Sequence, residues 1–448
     1  MWTRRAQIIR FQESFWIVPG LIAAASVVFA LLSTSLDAAL SLEGLGTEPL
    51  GYTGGPEAAS SFLITIAGSI ITVAGTSFSI TIAVLALTSV QFGPRLIRNF
   101  VRDVSNQVVL GVFLATFLYC MVVLRTIRGP DEGEFVPYFS LAIASLMGLI
   151  SVGFLIYFIS HVARSIQVMN VIASIGRDLD TAIVALFPEE QEHSGGPSPS
   201  PYLDQEMDER TALRPVASRR SGYIRSVDFT RLVETARIHR LRIRVPHHAG
   251  QFVPRGSALA EVVHDDGSWP DIPGVGDAIC AAFEIGDDRV SDQDIEFYID
   301  QLVEIGVRAL SAAINDPFTA IACIDRLGSS MRLLVRRELP SPYHADSDGI
   351  LRVVAKTQTV QGALDAAFNL IRQYGRTTPT VSMRLIETMA VIAEHTSDPA
   401  ETAALLSHAR MVEHGARMSL EEEADIMALE ERFARAIRAI EAPDSESL

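Results

Sequence analysis

Residues 61–100 read SFLITIAGSIITVAGTSFSITIAVLALTSVQFGPRLIRNF, and no charged residue occurs before Arg95. A helix needs about 20 mostly apolar residues to cross roughly 30 Å of hydrocarbon, and in lipid its backbone groups must bond internally. Ser61–Val90 meets that requirement with length to spare, enough to tilt or to project beyond the membrane. Within it, small and hydroxyl side chains recur at Ser61, Thr65, Ser69, Thr72, Thr76, Ser79, Ala83 and Ala86, three or four residues apart. That spacing draws one stripe down one helix face, with Gly68 and Gly75 beside it and Leu, Ile, Val and Phe on the other faces.

Two physical roles fit such a stripe. Small residues let helices pack closely, their hydroxyls bonding back to their own helix or across to a neighbour. Alternatively, hydroxyls line a water-filled path, which needs no charge to be weakly selective. No intramembrane carboxylate, His or Arg is read here, so a proton relay is not expected. Beyond the stripe, Pro94 lacks a backbone donor and disfavours helix at Gly93, so the chain is predicted to bend there. Arg95, Arg98 and Arg102 then form a basic segment along the membrane face. Simple positive-inside anchoring explains it; anionic headgroups or a charged vestibule are the alternatives.

Working outward, three more apolar runs qualify, giving predicted spans at about 15–36, 61–90, 108–124 and 138–162. The chain starts with a basic and then apolar stretch, but no A-x-A pattern ends it, so the first helix is expected to stay uncleaved. Four crossings put Arg4, Arg5, Arg10, Arg95, Arg98, Arg102 and Arg164 on one side, against Arg125 and Arg128 on the other. The second side also carries Asp37, Glu43, Glu48 and Glu57 in its first loop. By this asymmetry both termini are expected in the cytoplasm. Trp2, Trp16 and Tyr138 sit where interfacial aromatics belong, or are incidental apolar residues.

The whole chain has 448 residues, 48% hydrophobic, with a net charge of −16. Residues 166–448 alone have the composition of an ordinary acidic soluble protein, long enough to bury a core. An acidic chain offers no basic face for phosphates, so nucleic acid is not an expected partner. Of 37 basic residues only Lys356 is a lysine. Cys120, Cys280 and Cys323 are widely spaced, so no disulfide framework or zinc site follows.

The runs GSIITVAGTSFSITIAVLALTSVQFGPRLIRNFVRD (68–103), QVVLGVFLATFLYCMVVLRT (107–126) and QLVEIGVRALSAAINDPFTAIACIDRL (301–327) resemble a bacterial family of predicted membrane proteins, domain of unknown function 2254. The resemblance implies a membrane N-terminal part and a soluble C-terminal part in a bacterial inner membrane. It implies no activity, substrate or cofactor, and no functional residue carries over.

The expected fold class is therefore a membrane all-α part over 1–165, followed by an α+β, mainly helical cytoplasmic domain. A helical stalk is predicted at 166–187, a flexible linker at 188–220, a small β-rich unit at 221–285, helices over 286–441 and a disordered tail at 442–448. In the β unit, Tyr223–Arg225 and Leu241–Val245 alternate as half-buried strands, with a short helix near 228–239 between them. GQFVPRGSALAEVV reads as strand, turn, strand, like the turn of a lipoyl- or biotinyl-type sandwich. It has no lysine to carry such a group, so no cofactor is implied. His247, His248, His264, Asp265 and Asp266 lie close in sequence but at strand ends and turns, where nothing makes them converge on a metal.

Ser291 with Asp294 resembles a capping box. Asn315-Asp316-Pro317 is a stop and restart, with Asp316 able to cap a new helix that has Pro317 at its first position. Arg308, Asn315, Asp316 and Asp325 are a candidate polar cluster at that corner; capping and salt bridging account for the same residues. After a loop at 338–348, ILRVVAK reads as one more strand, and helices follow at about 359–374, 378–396, 399–416 and 420–441.

No phosphate loop, dinucleotide fingerprint, nucleophile elbow or HExxH motif occurs. The stripe, the Pro-bounded bend and a large domain without catalytic motifs are read first as a homo-oligomeric channel or pore in the lipid bilayer. A membrane-anchored sensor or scaffold is the alternative. A membrane-bound enzyme has no positive motif in its favour.

Overall fold

A computed structural model describes residues 16–42, 54–92, 103–129, 135–165, 167–188, 213–265, 273–290 and 293–441. The chain divides into two units, residues 1–170 and 171–448.

Among its described residues the first unit holds four helices of membrane-spanning length and hydropathy: α1 (Ile17–Leu42), α2 (Pro56–Phe92), α3 (Val104–Leu124) and α4 (Tyr138–Ser165). α3 is the central one, packed against α1, α2 and α4. It buries Phe113, Tyr119 and Val123, while Leu63 and Ala67 of α2 and Leu141 and Ala144 of α4 close over it. Gly111 permits its closest approach to α1: a Cβ there would lie 2.8 Å from Ile22 Cδ1 and 3.2 Å from Pro19 Cα. All four outrun their predicted spans, α1 and α2 the furthest. α2 begins at Pro56, with Glu57 in its first turn, where the macrodipole favours a carboxylate. At ~1.5 Å per residue its 37 residues extend about 55 Å. α1 continues through Asp37 to Leu42, although its apolar run ends at Leu36.

The second unit opens with α5 (Val168–Leu186). The segment expected to be a stalk buries Ile172, Ile175, Leu179 and Ile183 on one face. Gly176 lies over the Arg326 stem, and Ser330 Oγ donates to Asp180 Oδ1 at 2.6 Å. An apolar stripe at helical spacing gains by burial, and here the folded unit supplies the surface.

Among the described residues eight strands follow: β1 (Arg214–Ala217), β2 (Gly222–Val227), β3 (Leu241–Val245), β4 (Phe252–Val253), β5 (Ala258–His264), β6 (Phe283–Gly286), β7 (Tyr343–Ala345) and β8 (Leu351–Ala355). They form a five-stranded sheet, β1-β5-β3-β8-β7, and a three-stranded sheet, β4-β2-β6. β3 and β8 run parallel; every other pair is antiparallel. One core serves both sheets and the helix α6 (Phe229–His239), with Ile224, Leu232, Ile243, Val262 and Val353 at its centre. Two expectations are corrected here. The predicted linker contains β1, whose Val216 is buried opposite Ala260. The predicted loop at 338–348 contains β7. The strand, turn, strand around Arg255-Gly256 forms, its two strands joining different sheets. A short helix, α7 (Val275–Cys280), packs near α6 and β1.

The remaining helices are α8 (Glu296–Ala309), α9 (Pro317–Leu334), α10 (Val360–Gly375), α11 (Pro379–Ala393), α12 (Pro399–Arg417) and α13 (Glu423–Glu441). α11 touches α9, α10, α12 and α13 and buries Val381, Leu385, Ile386, Met389 and Ile392. α8 starts beyond the expected Ser291–Asp294 capping box. The N-cap is Ile295, without a side-chain bond, and Asp294 is fully buried against Arg289. Ser291 lies outside the described residues, as do the tail 442–448 and most of the expected linker.

Candidate functional site

α2 turns its hydroxyl stripe away from the other three helices. Ser61, Thr65, Ser69, Thr72, Thr76 and Ser79 are all exposed, as are Gly68, Gly75, Ala83 and Ala86. A Cβ added at Gly68 or Gly75 would meet nothing within 4 Å. The opposite face, Ala59, Leu63, Ala67, Ile70 and Ala74, is the one that packs. Four of the stripe hydroxyls donate to carbonyls of their own helix: Thr65 to Ser61 and Thr72 to Gly68 at 2.7 Å, Thr76 to Thr72 and Ser79 to Gly75 at 2.9 Å. Their protons are thus satisfied inside the helix, and their oxygens still present acceptor lone pairs outward. The outer faces of α1 and α4 differ in kind: Leu21, Val28, Phe29, Leu31 and Leu32 on one, Leu146, Leu149, Ile150, Val152 and Ile156 on the other. Gly93, Pro94, Arg95, Arg98 and Arg102 lie outside the described residues.

Asp37 and His161 correct the expectation that no carboxylate or His lies within the spans. Asp37, 6% exposed, sits in the span Ile17–Ala39, and His161 sits in Tyr138–Arg164. Asp37 accepts from the backbone N–H groups of Phe139 and Ser140 at 3.0 Å each, so α1 caps the first turn of α4. Ser140 Oγ donates to the same carboxylate at 2.6 Å and lies 3.1 Å from Ser33 Oγ, which pairs with the Tyr119 hydroxyl at 2.8 Å. The second group is a pair: His161 Nε2 lies 2.5 Å from Asp103 Oδ2. Asp103 also caps α3 through Ser105 N, and Tyr157 stacks on His161 while donating to Ser105 Oγ at 3.2 Å. The sequence signal was present in both cases. Asp37 stands one residue past the apolar run, and His161 lies inside the fourth.

In the second unit, the bonds described for the corner residues tie each to a different neighbour. Arg308 pairs with Glu304 at 3.1 Å, and Asp325 lies 3.4 Å from Arg384. Asp316 caps α9, accepting from Thr319 N at 3.1 Å and Thr319 Oγ1 at 2.6 Å. Those bonds hold its carboxyl below the ordinary range. Asn315 supplies the left-handed residue of the turn, φ 50°. In the β region, His247 bonds Gln251 and the Ala258 carbonyl, His248 bonds the Ala249 carbonyl, and Asp265 pairs with Arg352 at 2.9 Å; Asp266 is outside the described residues. Among the described residues, no three His, Cys, Asp or Glu side chains converge as metal ligands. Burial pushes the Cys323 thiol up, which leaves it an inert core residue.

Four apolar helices of spanning length, with Asp37 and His161 engaged by partners across the bundle, followed by a folded α+β unit, define a multi-pass α-helical membrane protein. The chain belongs to the family of predicted membrane proteins known as domain of unknown function 2254, which matches residues 12–391. It is similar to an uncharacterised protein of Mycobacterium tuberculosis and to one of Mycobacterium bovis. Each is 29% identical over 450 residues, covering 99% of this chain and 84% of the relative. No solved structure matches it.

Proposed function

We propose that the protein is a homo-oligomeric channel or pore of a bacterial inner membrane, with both termini and the α+β unit in the cytoplasm. Copies of α2 line or gate the path, and the α+β unit assembles or regulates it. One observation carries this reading: a strip of Ser, Thr, Gly and Ala runs down the middle of the outward face of α2, flanked by Ile64, Ile71, Ile80 and Ile82, whereas the large side chains exposed on α1 and α4 are apolar with no such hydroxyl strip between them. A lipid-facing surface favours the second composition; a helix meeting copies of itself around water favours the first. A sensor or scaffold would bury the stripe in helix–helix contacts within one subunit, and its exposure weighs against that alternative. Asp37 and His161 remove one argument against proton coupling, but both are engaged by partners in the bundle rather than facing the stripe. Reconstitution in liposomes tests the proposal. Ion or solute flux under voltage, tension or osmotic shock is expected; its absence under all three contradicts the channel.

A further inference from the structure

Asn106 lies in the first turn of α3 and is 4% exposed. Neither its amide oxygen nor its amide nitrogen has a hydrogen-bond partner in the protein. A buried amide without partners is costly, and more so in the apolar surroundings of a helix bundle. The side chain lines a cavity between α2, α3 and α4, together with Ser77, Thr81, Val109, Phe113 and Phe158. Counted with its open mouth the cavity measures about 260 Å³, and its enclosed part has room for roughly one water.

The chemistry of the lining narrows the guest. It must donate to Asn106 Oδ1 and accept from Asn106 Nδ2. A metal cation answers only the oxygen, an anion only the nitrogen, and a hydrocarbon neither. Water answers both. Thr81 Oγ1 already donates to the Ser77 carbonyl at 2.8 Å, so its oxygen is left as an acceptor. Ser77, 6% exposed, brings a second hydroxyl to the same wall. Two to four polar partners are what an internal water ordinarily has.

We propose that this pocket is a hydration site inside the membrane unit, holding a water molecule between Asn106, Ser77 and Thr81. It belongs to the face of α2 turned towards α3 and α4, opposite the outer stripe, so it stands independently of the channel reading. Asn106 is one turn from Asp103 and Phe158 one turn from His161, which sets exchangeable water beside the pair that joins α3 to α4.

The sequence holds five asparagines, so asparagine-selective ¹⁵N labelling gives a short list of side-chain amides. The full chain is placed in liposomes and observed by proton-detected solid-state NMR. Asn106→Leu assigns its amide by loss of the signal, and Asn106→Gln serves if the first variant does not fold. The expected result is a water cross-peak on the Asn106 amide that survives a membrane-impermeant gadolinium chelate. Combining Ser77→Ala with Thr81→Val is expected to weaken it at least twofold while the amide signal remains. No water cross-peak, erasure by the chelate, a cross-peak to lipid or to another protein group instead, or indifference to the double substitution would each overturn the proposal.

Discussion

The carboxylate of Asp37 accepts both the backbone N–H of Ser140, at 3.0 Å, and its hydroxyl, at 2.6 Å, although 103 residues separate the two. A charge that would be prohibitive in lipid is thereby placed on the positive end of α4, with every oxygen engaged. Asp37→Ala strands three donors at a buried helix start and is expected to cost on the order of 2–3 kcal/mol. Asp37→Asn, which keeps an acceptor, should cost less. Thermal unfolding in detergent measures both, and a wild-type midpoint for Asp37→Ala would contradict the role.

Gly328 of α9 meets α11 without room to spare: a Cβ there would come within 2.5 Å of Thr388 Cγ2. Gly328→Ala is expected to destabilise the α+β unit by about 1–3 kcal/mol through overpacking. Thr388→Ser removes the opposing methyl and keeps the hydroxyl that bonds the Arg384 carbonyl at 2.8 Å. The double variant should recover most of the loss. Additive destabilisation would show that the two residues do not oppose each other.

Arg289 holds three carboxylates, with Asp294 at 2.5 Å, Asp300 at 2.6 Å and Glu296 at 3.4 Å. Asp294 is fully buried, and burial pushes the Glu296 carboxyl up. Arg289→Met leaves buried negative charge uncompensated, at a cost of roughly 3–5 kcal/mol near neutral pH. The Glu296 carboxyl, already raised by burial, also loses the guanidinium that opposes that shift, so the variant should regain stability as pH falls towards 5. Denaturant midpoints at pH 7.5 and 5.5 decide it; a deficit that is constant with pH would contradict the account.

His408 is fully buried beside Phe368, and burial pushes its imidazole below the ordinary range. Asp365, 3.1 Å away, opposes that shift, and Arg372 adds to it. His344, stacked on Phe229, shifts the same way through burial. Above an unfolded pKa of about 6.5 both rings are neutral in either state and cost nothing; below it the unfolded chain binds the proton first and stability falls. His408→Leu should flatten part of the loss between pH 7 and pH 5. A slope identical to wild type would show that His408 does not titrate differently on folding.

How much of this was legible beforehand depends on the range of the forces involved. Spans and caps are local: the apolar runs and Asp316 with Pro317 stand in the sequence and formed where the pattern placed them. Pairing across the chain is not local. β1 has only four residues, three of them exposed, and is a strand because Val262, Glu261, Ala260 and Ala258 accept it. The parallel partner of Ile243 is Val353, more than a hundred residues away. Asp37 was read as a loop residue because apolar counting ends at Leu36, whereas the helix continues for as long as its backbone bonds and its charge are both satisfied. The stripe on α2 was visible in full, but periodicity gives a face and not its direction; that came only with the packing of Leu63 and Ala67 against the bundle.

Water contact along that stripe is the claim on which the channel rests, and substituted cysteines measure it directly. In a chain whose Cys120, Cys280 and Cys323 have been replaced, Thr65→Cys, Ser69→Cys, Thr72→Cys, Thr76→Cys and Ser79→Cys are treated one at a time with a membrane-impermeant thiol reagent on intact membranes. The account predicts modification at these positions and none at Ile64, Ile71 or Ile80 treated likewise, which lie outside the stripe. Uniform resistance of the five stripe positions to reagent from both sides would mean that no aqueous path runs beside α2.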